Sequence, residues 1–463
     1  MKILQVTNGF PPTASAGVEQ YTYQLGQALN DQHDVRVFCR ESDPARRDYE
    51  VIDGVYDGLV VRRVVNDFQH ADHVRDFYVD RRIERIFRST LAEWKPDLIH
   101  FQHCIGLSAS MLEVAKQEQI PHLLTLHDYW YLCSQVQLYD HRGQICEGPM
   151  SDGDCYDCMA SPRGVFGSFR RTRLYRFVRS RLDESTKRWI LSAVSRIMPS
   201  VPPPDPEAAL SPFVDRTEYM LSLLRAVPRI LVPSRFVRDM YVKHGVPRGR
   251  VKVLPLGLDL TDWDSAPRGD ETVDAQAPRV GYIGTLLRHK GVHVLMQAFQ
   301  RLEIPKATLR VHGFPIPGDP YIDELGGLAD QDPRIQLMGR YEHRNLPTLL
   351  SDVDIVVIPS LWHETFSIVA REALLAGAPV IASRVGAIPE VIRDGENGCL
   401  VPPGDVTALH GALSNTLTHP DRLMRLREGA RDSRGFVKSI GDHALEIESE
   451  YQDLRQGATS PRA

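Results

Sequence analysis

The chain has 463 residues, 42% of them hydrophobic and 25% charged, with a formal net charge of -5. At roughly 100–200 residues per domain this length predicts two or three domains with sizeable cores, and the lack of a basic excess argues against a nucleic-acid partner. No stretch reaches the ~18 uninterrupted apolar residues of a membrane-spanning helix.

Met1 leads into an apolar run, residues 3–7, bounded by Asn8-Gly9 and Pro11-Pro12. The run is too short for a signal peptide and reads as a first strand. The chain is therefore expected in the cytoplasm, with its seven cysteines as thiols or metal ligands rather than disulfides. Further apolar runs at 34–39, 59–63, 97–100, 122–126, 229–233 and 251–255 alternate with helical spacing at 18–29, 81–94 and 108–116. Short runs apolar throughout, each followed by a helix, predict a parallel sheet covered on both faces.

An insertion at about 133–225 interrupts the alternation. Cys133, Cys146, Cys155 and Cys158 fall in a Gly- and Asp-rich segment poor in apolar residues, the last two as Cys-x-x-Cys. Four thiolates complete a tetrahedral shell, so a structural zinc is expected there, with free thiols or a regulatory disulfide as the alternative. From Arg163 to Arg188, nine basic residues interleave with Phe166, Phe169, Leu174, Phe177 and Val178. Such a segment can lie on an anionic membrane at its inner face, bind an acidic acceptor, or pack as a solvated helix on its own domain. Residues 199–206, with five prolines, are expected to form an extended connector.

Residues 262–276 are polar and acidic, with Pro267 and Gly269, and read as a linker. The pattern restarts beyond it, with strands expected at 279–283, 308–312, 334–338, 354–359 and 379–382, and helices at 291–301, 366–376 and 406–417. A last helical stretch at 441–455 follows, and the tail from Gln456 reads as disordered. The expected domains are 1–262 with its insertion and 277–432, plus the helix 441–455. Two Rossmann-like, doubly wound α/β domains in succession imply a cleft between them, with ligands beyond the carboxyl ends of the strands.

The most informative stretch runs from Pro359 to Val380 and holds Glu364 and Glu372. A buried strand ends in a loop carrying Glu364, and a helix starting near Phe366 aims free backbone N–H groups at that loop, which attracts phosphate. The two carboxylates would lie ~10 Å apart at 1.5 Å rise per residue. They could straddle a pyrophosphate, each accepting paired hydroxyl hydrogen bonds from a sugar or ribose; the plainer alternative is two solvated helix charges. Lys290 also sits near a helix start, where a cation is unfavourable without an anionic ligand.

This stretch, with Ala376-Gly377-Ala378-Pro379-Val380, Gly386-Ala387-Ile388-Pro389-Glu390 and Gly395-Glu396-Asn397-Gly398, resembles the retaining glycosyltransferases of family 4 (group 1), which have the GT-B fold. The resemblance extends to residues 281–291, Val232-Pro233-Ser234, Pro255-Leu256-Gly257-Leu258-Asp259 and His127-Asp128-Tyr129-Trp130. It implies that Lys290 is the cation on the donor diphosphate, Glu372 the ribose ligand and Glu364 the carboxylate facing the transferred sugar. His127 would contact the sugar near the reacting carbon and Gly17 would let the backbone approach the phosphates. Gly284, Thr285, Arg288, Phe366, Ser367 and Ile368 complete the implied donor set, with base recognition near Gly339-Arg340-Tyr341. The final helix is implied to cross back onto the first domain.

Two departures stand out. Thr285 occupies a position where the family often has Arg, which leaves the diphosphate to Lys290 alone or with Arg288, and Ala16 stands where a glycine pair is common. His100 and His103 sit at another strand end with less to assign them. The resemblance implies transfer from a nucleotide-diphosphate sugar to a glycan, lipid-linked or small-molecule acceptor, with retention and no catalytic metal. A covalent double displacement needs a carboxylate nucleophile under the sugar carbon, and the motifs supply none, so same-face attack assisted by the departing diphosphate is favoured. Rival readings are a nucleotide-sugar epimerase and a non-catalytic sugar-nucleotide-binding protein. A dinucleotide oxidoreductase fits less well, since neither first loop carries Gly-x-Gly-x-x-Gly.

Overall fold

A computed structural model describes residues 1–71, 73–149, 155, 157–158, 206–263, 274, 276–315 and 319–459. The basic segment 163–188, most of the expected connector and residues 264–273 of the expected linker lie outside the described residues. The chain divides into two units: Met1–His141 with Cys146–Leu258 and Ser439–Ala463, and Asp259–Lys438 with Arg142–Ile145.

The first unit is built on an eight-stranded sheet. Its strands are β1 (Lys2–Thr7), β2 (Asp34–Glu41), β3 (Val51–Tyr56), β4 (Leu59–Val65), β5 (Leu98–Phe101), β6 (His122–Thr125), β7 (Arg229–Val232) and β8 (Val251–Val253), in the order β3-β4-β2-β1-β5-β6-β7-β8. Every pairing is parallel except β3 with β4. The apolar-run criterion misses β3, an edge strand whose alternate residues are exposed and which carries Asp53 and Gly54. Its hairpin turns at Asp57-Gly58, both at positive φ, the dipeptide that two-residue hairpins favour.

Helices α1 (Gly17–Asn30), α2 (Arg81–Trp94), α3 (Met111–Gln117), α4 (Pro206–Ala226) and α5 (Arg235–Lys243) belong to this unit. The prolines end by starting a helix: Pro206 opens α4, where a missing N–H costs nothing. The last helix, α12 (Ile440–Thr459), also belongs here and runs past Gln456, where disorder was expected. Its buried Glu450 pairs with Arg229 on β7 at 3.2 Å and with Lys252 on β8.

The second unit holds six parallel strands, β9 (Arg279–Leu286), β10 (Thr308–Pro315), β11 (Ile335–Gly339), β12 (Ile355–Ile358), β13 (Val380–Ser383) and β14 (Gly398–Val401), in the order β11-β10-β9-β12-β13-β14. Helices α6 (Val292–Gln300), α7 (Tyr321–Asp330), α8 (Leu346–Ser351), α9 (Ile368–Ala376), α10 (Val406–Leu417) and α11 (Pro420–Asp432) accompany the sheet. Its core includes Val280, Leu295, Phe299, Leu309, Ile355 and Leu413. Buried Asp354 fixes the start of β12 by accepting from Arg279 and from Arg427, at 3.2 and 3.1 Å.

Both sheets grow outward in two directions from a central pair, β1/β5 and β9/β12. Where the winding reverses, the connections leave on opposite faces and open a crevice at the strands' carboxyl ends, where ligands bind in such sheets.

Candidate active site

In the second unit, Lys290 follows β9 and Glu364 follows β12, so the reversal point brings them together. Lys290 Nζ donates to Glu364 Oε1 at 2.8 Å, and the same oxygen accepts from Ser360 Oγ at 2.7 Å and Trp362 Nε1 at 2.9 Å. The ammonium also lies 4.8 Å from the centre of the Trp362 ring. Glu364 is 6% exposed. Burial alone pushes its carboxyl up, but Lys290 and the two neutral donors outweigh that and hold it below the ordinary value.

Two glycines make this approach possible. Gly291 has φ +73, and a Cβ there would fall 1.9 Å from the Pro359 carbonyl oxygen. Gly386 has φ +58, and a Cβ there would meet the Glu364 backbone at 2.3 Å. The Ala387 N–H donates to the Glu364 carbonyl at 2.7 Å, and the Leu361 N–H to that of His289, also at 2.7 Å. The loop is thus pinned from both sides.

Helix α9 begins two residues later than its sequence pattern predicts, because Ser367 takes a left-handed conformation, φ 56, at the cap and gives no side-chain cap. A serine held there marks strain of the kind that collects at binding sites, and the first N–H groups of α9 have no intrahelical acceptor. Beneath the turn, buried Arg371 donates to the carbonyls of Phe366 and Ser367 and lies over the Phe366 ring. Burial lowers its guanidinium to about 9.

Glu372, 4% exposed, pairs with His343 Nε2 at 3.2 Å. That hydrogen bond raises the His343 pKa, against the opposing effect of burial and with help from the Glu372, Asp259 and Asp262 charges. Sequence reading did not single out His343; it stands in a short 3-10 turn after β11, with no motif to mark it. Phe314 and Tyr341, at the ends of β10 and β11, pack with ring centroids 4.9 Å apart.

In the first unit, Gly17 opens α1 and is exposed, while Ala16 at the cap is extended and supplies no side-chain cap. Glu19, in the first turn, accepts from Asn8 Nδ2 at 2.7 Å. His127, just beyond β6, is 9% exposed, and its Nε2 is 2.9 Å from Gln102 Oε1. Burial, then His103, pushes its pKa down to about 3, so the ring is neutral near pH 7. Beside it His103 Nε2 donates to Asp128 Oδ2 at 2.7 Å, and the other Asp128 oxygen accepts from the Trp130 N–H at 2.9 Å. Neutral His100 lies deeper, against Thr125 and Tyr451.

Comparison with known proteins completes this picture. A family model described as Glycosyl transferases group 1 matches residues 277–419, and one described as Glycosyltransferase Family 4 matches residues 15–194. The chain belongs to the family 4, group 1 glycosyltransferases. Among relatives of this family, the glycogen synthase of Mycobacterium tuberculosis is 32% identical over 216 residues, 45% of this chain and 50% of the relative. The MMP alpha-(1->4)-mannosyltransferase of Mycolicibacterium hassiacum is 32% identical over 232 residues, 46% and 51% of the two chains. The chain thus spans about half the length of the curated relatives it matches. Across nearly the whole chain the fold is that of sucrose-phosphate synthase from Thermosynechococcus elongatus, with TM-score 0.64, 20% identity and coverage of 99% and 100%. HepE of Anabaena, solved with UDP and glucose, gives 0.61 and 15%, covering 98% and 99%. The family's GT-B fold, two Rossmann-like units, is therefore the fold of this chain.

Some expectations change. No disulfide joins the four cysteines; Cys146 Sγ is turned to the Gly148 carbonyl at 3.1 Å and Cys158 Sγ lies 3.6 Å from His141 Nδ1. Burial, then Cys133, Cys146 and Cys158, pushes the Cys155 thiol up to about 12. Among the described residues no three His, Cys, Asp or Glu side chains form a group that could hold a metal, so the expected structural zinc is not supported. Arg288, whose donor role stays an expectation, pairs with Glu324 and lies 4.9 Å from the centre of the Tyr321 ring. Asp-x-Asp spacing, which can mark a divalent-metal site, occurs at Asp152-Gly153-Asp154, Asp262-Trp263-Asp264, Asp330-Gln331-Asp332 and Asp352-Val353-Asp354; in the last of these both carboxylates are held by arginines. Among the described residues no helix is long and apolar enough to cross a membrane.

Proposed function

We propose that the chain transfers a sugar from a nucleotide-diphosphate donor to an acceptor hydroxyl with retention of anomeric configuration. The observation that carries this reading is the 2.8 Å pair of Lys290 and Glu364 at the reversal point of the second sheet, beside the open start of α9. An arriving diphosphate meets an ammonium and unpaired N–H groups, a preorganised stabiliser for the charge that develops on the leaving group. Lys290 exchanges Glu364 for phosphate oxygen, which frees the carboxylate to accept from hydroxyls of the transferred sugar. Glu372 accepts from the ribose, and the Phe314–Tyr341 pair flanks the base. Neutral His127 offers a hydrogen bond, not a charge, to the sugar near the reacting carbon, with Gly17 letting backbone approach the phosphates. The departing diphosphate takes the acceptor proton on the same face.

HepE, with this fold, was solved with UDP and glucose, which supports a nucleoside-diphosphate donor here; the acceptor is a glycan, a lipid-linked sugar or a small molecule. The basic, Phe-bearing segment from Phe166 to Arg188 supports peripheral contact with an anionic membrane, a part of the reading that ends if the protein fails to sediment with anionic vesicles at low salt. The whole reading is tested by incubating the chain with a panel of nucleotide sugars, with and without acceptors. Acceptor-dependent release of nucleoside diphosphate is expected. Donor conversion that needs no acceptor would instead indicate an epimerase, and binding without turnover a non-catalytic protein.

A further inference from the structure

His127 stands at the end of a chain of buried hydrogen bonds that reaches the C-terminal helix. Its Nε2 lies 2.9 Å from Gln102 Oε1, Gln102 Nε2 donates to Gln5 Oε1 at 2.9 Å, and Gln5 Nε2 donates to Tyr451 Oη at 3.4 Å. Tyr451 Oη is 2.7 Å from His100 Nδ1, and His100 Nε2 is 2.7 Å from Thr125 Oγ1. Gln5, His100, Gln102 and Tyr451 are each 0% exposed, so water does not substitute for any link.

The order of donors and acceptors is the informative part. A carboxamide accepts at one end and donates at the other, so once one link is set every other follows. Tyr451 receives a proton from Gln5, and its own hydroxyl hydrogen must go to His100 Nδ1. At the other end Gln102 presents an oxygen to His127, which must therefore carry its proton on Nε2 and keep Nδ1 as a lone pair. Reversing the chain requires both amides to turn over, the Tyr451 hydroxyl to rotate and both histidines to change tautomer together. Neither histidine escapes by charging, because burial holds both pKa values below the ordinary value. The groups facing the His127 ring, Tyr21 at 5.0 Å between centroids, His103, Asp128 and His443, leave this link as the one that sets its tautomer.

We propose that Tyr451 is a positioning residue: through Gln5 and Gln102, its hydroxyl fixes His127 as the Nε2–H tautomer, so that Nδ1 faces the reaction as a hydrogen-bond acceptor. The idea rests on the proposed role of His127 at the sugar. It also gives the C-terminal helix a task beyond packing, since removing one oxygen on α12 takes from Gln5 the acceptor that sets its amide, and with it the orientation passed to Gln102, whose Nε2 also lies 3.2 and 3.3 Å from the His100 ring nitrogens.

The test is Tyr451→Phe in the full chain, with Gln102→Met as a second break nearer His127 should the first variant fold poorly. Nitrogen-15 spectra of the histidines, with His127→Gln to assign its signals, are expected to show the Nε2–H form in the unmodified protein and a mixture in either variant. An unchanged tautomer in folded Tyr451→Phe, or an Nδ1–H form in the unmodified protein, overturns the proposal; should Tyr451→Phe not fold, an unchanged tautomer in Gln102→Met does so. In transfer assays Tyr451→Phe is expected to lower kcat by about 10–100-fold, the usual scale for partners that orient a working group, with the donor KM little changed. It should cost nothing further in a His127→Ala background. An equal loss in that background means that Tyr451 acts through the fold alone and ends the proposal. A fully active His127→Ala would instead refute the sugar-side role, while the tautomer spectra would still judge the chain.

Discussion

The two candidate regions occupy equivalent places, at the carboxyl ends of the strands that flank the reversal in each sheet, yet they are built from opposite materials. The second unit brings an ammonium, two buried carboxylates and a helix start together. The first assembles His100, His127, Gln5, Gln102, Tyr451 and Thr125 as a neutral network, with one carboxylate, Asp128, beside it on His103. Ions suit a doubly charged leaving group, because a buried charge with no counter-ion is costly and the ligand supplies one. Neutral groups suit the orientation of a sugar, where what matters is which atom donates and which accepts. Without ligand the second region closes on itself as Lys290–Glu364, whereas the first is complete without a partner.

The largest expected effect breaks the charged side. Lys290→Ala removes the main cation at the leaving diphosphate and should lower turnover by ~10²–10³. It also strands Glu364 in a buried site, so the melting temperature should fall as well. Adding Glu364→Gln removes that stranded charge and should restore the melting temperature without restoring turnover, a non-additivity expected of side chains in contact. Melts and steady-state rates on the three variants decide it.

Glu364→Gln alone comes next. The amide oxygen still accepts from Ser360 and Trp362, so the loop should stand, but a charged hydrogen bond to the sugar is worth roughly 1.5–3 kcal/mol. A drop of about ten- to a hundredfold in kcat/KM is expected, and near-normal transfer would remove Glu364 from the sugar.

Arg288→Ala sharpens the contrast by asking whether Lys290 has help. Since Arg288 is already paired with Glu324, the change should alter donor KM by no more than about threefold, within the ~0–1 kcal/mol of an exposed pair. A loss comparable to that of Lys290→Ala would show that Arg288 turns to the phosphate.

The smallest effect concerns His343, whose pKa is raised in the fold by Glu372. A raised histidine stabilises fully below its unfolded value, about 6.5, and loses that contribution as pH climbs through the folded value. The melting temperature of the unmodified protein should therefore decline slightly across that window relative to His343→Gln. Parallel curves would mean the pair carries no net energy.

Much of the charged region was legible in the sequence, because it is local: a buried run, a loop and a helix follow one another from Asp354 to Ala376, and Gly291 and Gly386 sit where backbones nearly touch. The strands of both sheets were legible wherever they are apolar throughout. The edge strand β3 and the short β14 were not, since neither makes a long apolar run. The neutral region was mostly hidden. His127 stood out by its motif, but Gln5, Gln102 and Tyr451 are widely separated in sequence and become partners only through β1, β5 and α12. His343 was missed for the same reason, and so was the pairing of Arg288 with Glu324.

The account stands most directly on the affinity for a nucleoside diphosphate, measured by calorimetry on the unmodified chain and on the Lys290→Ala/Glu364→Gln pair, with melts alongside. UDP and ADP are the first ligands to try. The account predicts that the variant keeps a melting temperature within a few degrees, about 1 kcal/mol on the ordinary scale, and binds at least about tenfold more weakly, some 1.4 kcal/mol. Equal affinity in the two proteins would contradict it, and would make Lys290 and Glu364 parts of the fold rather than of the donor site.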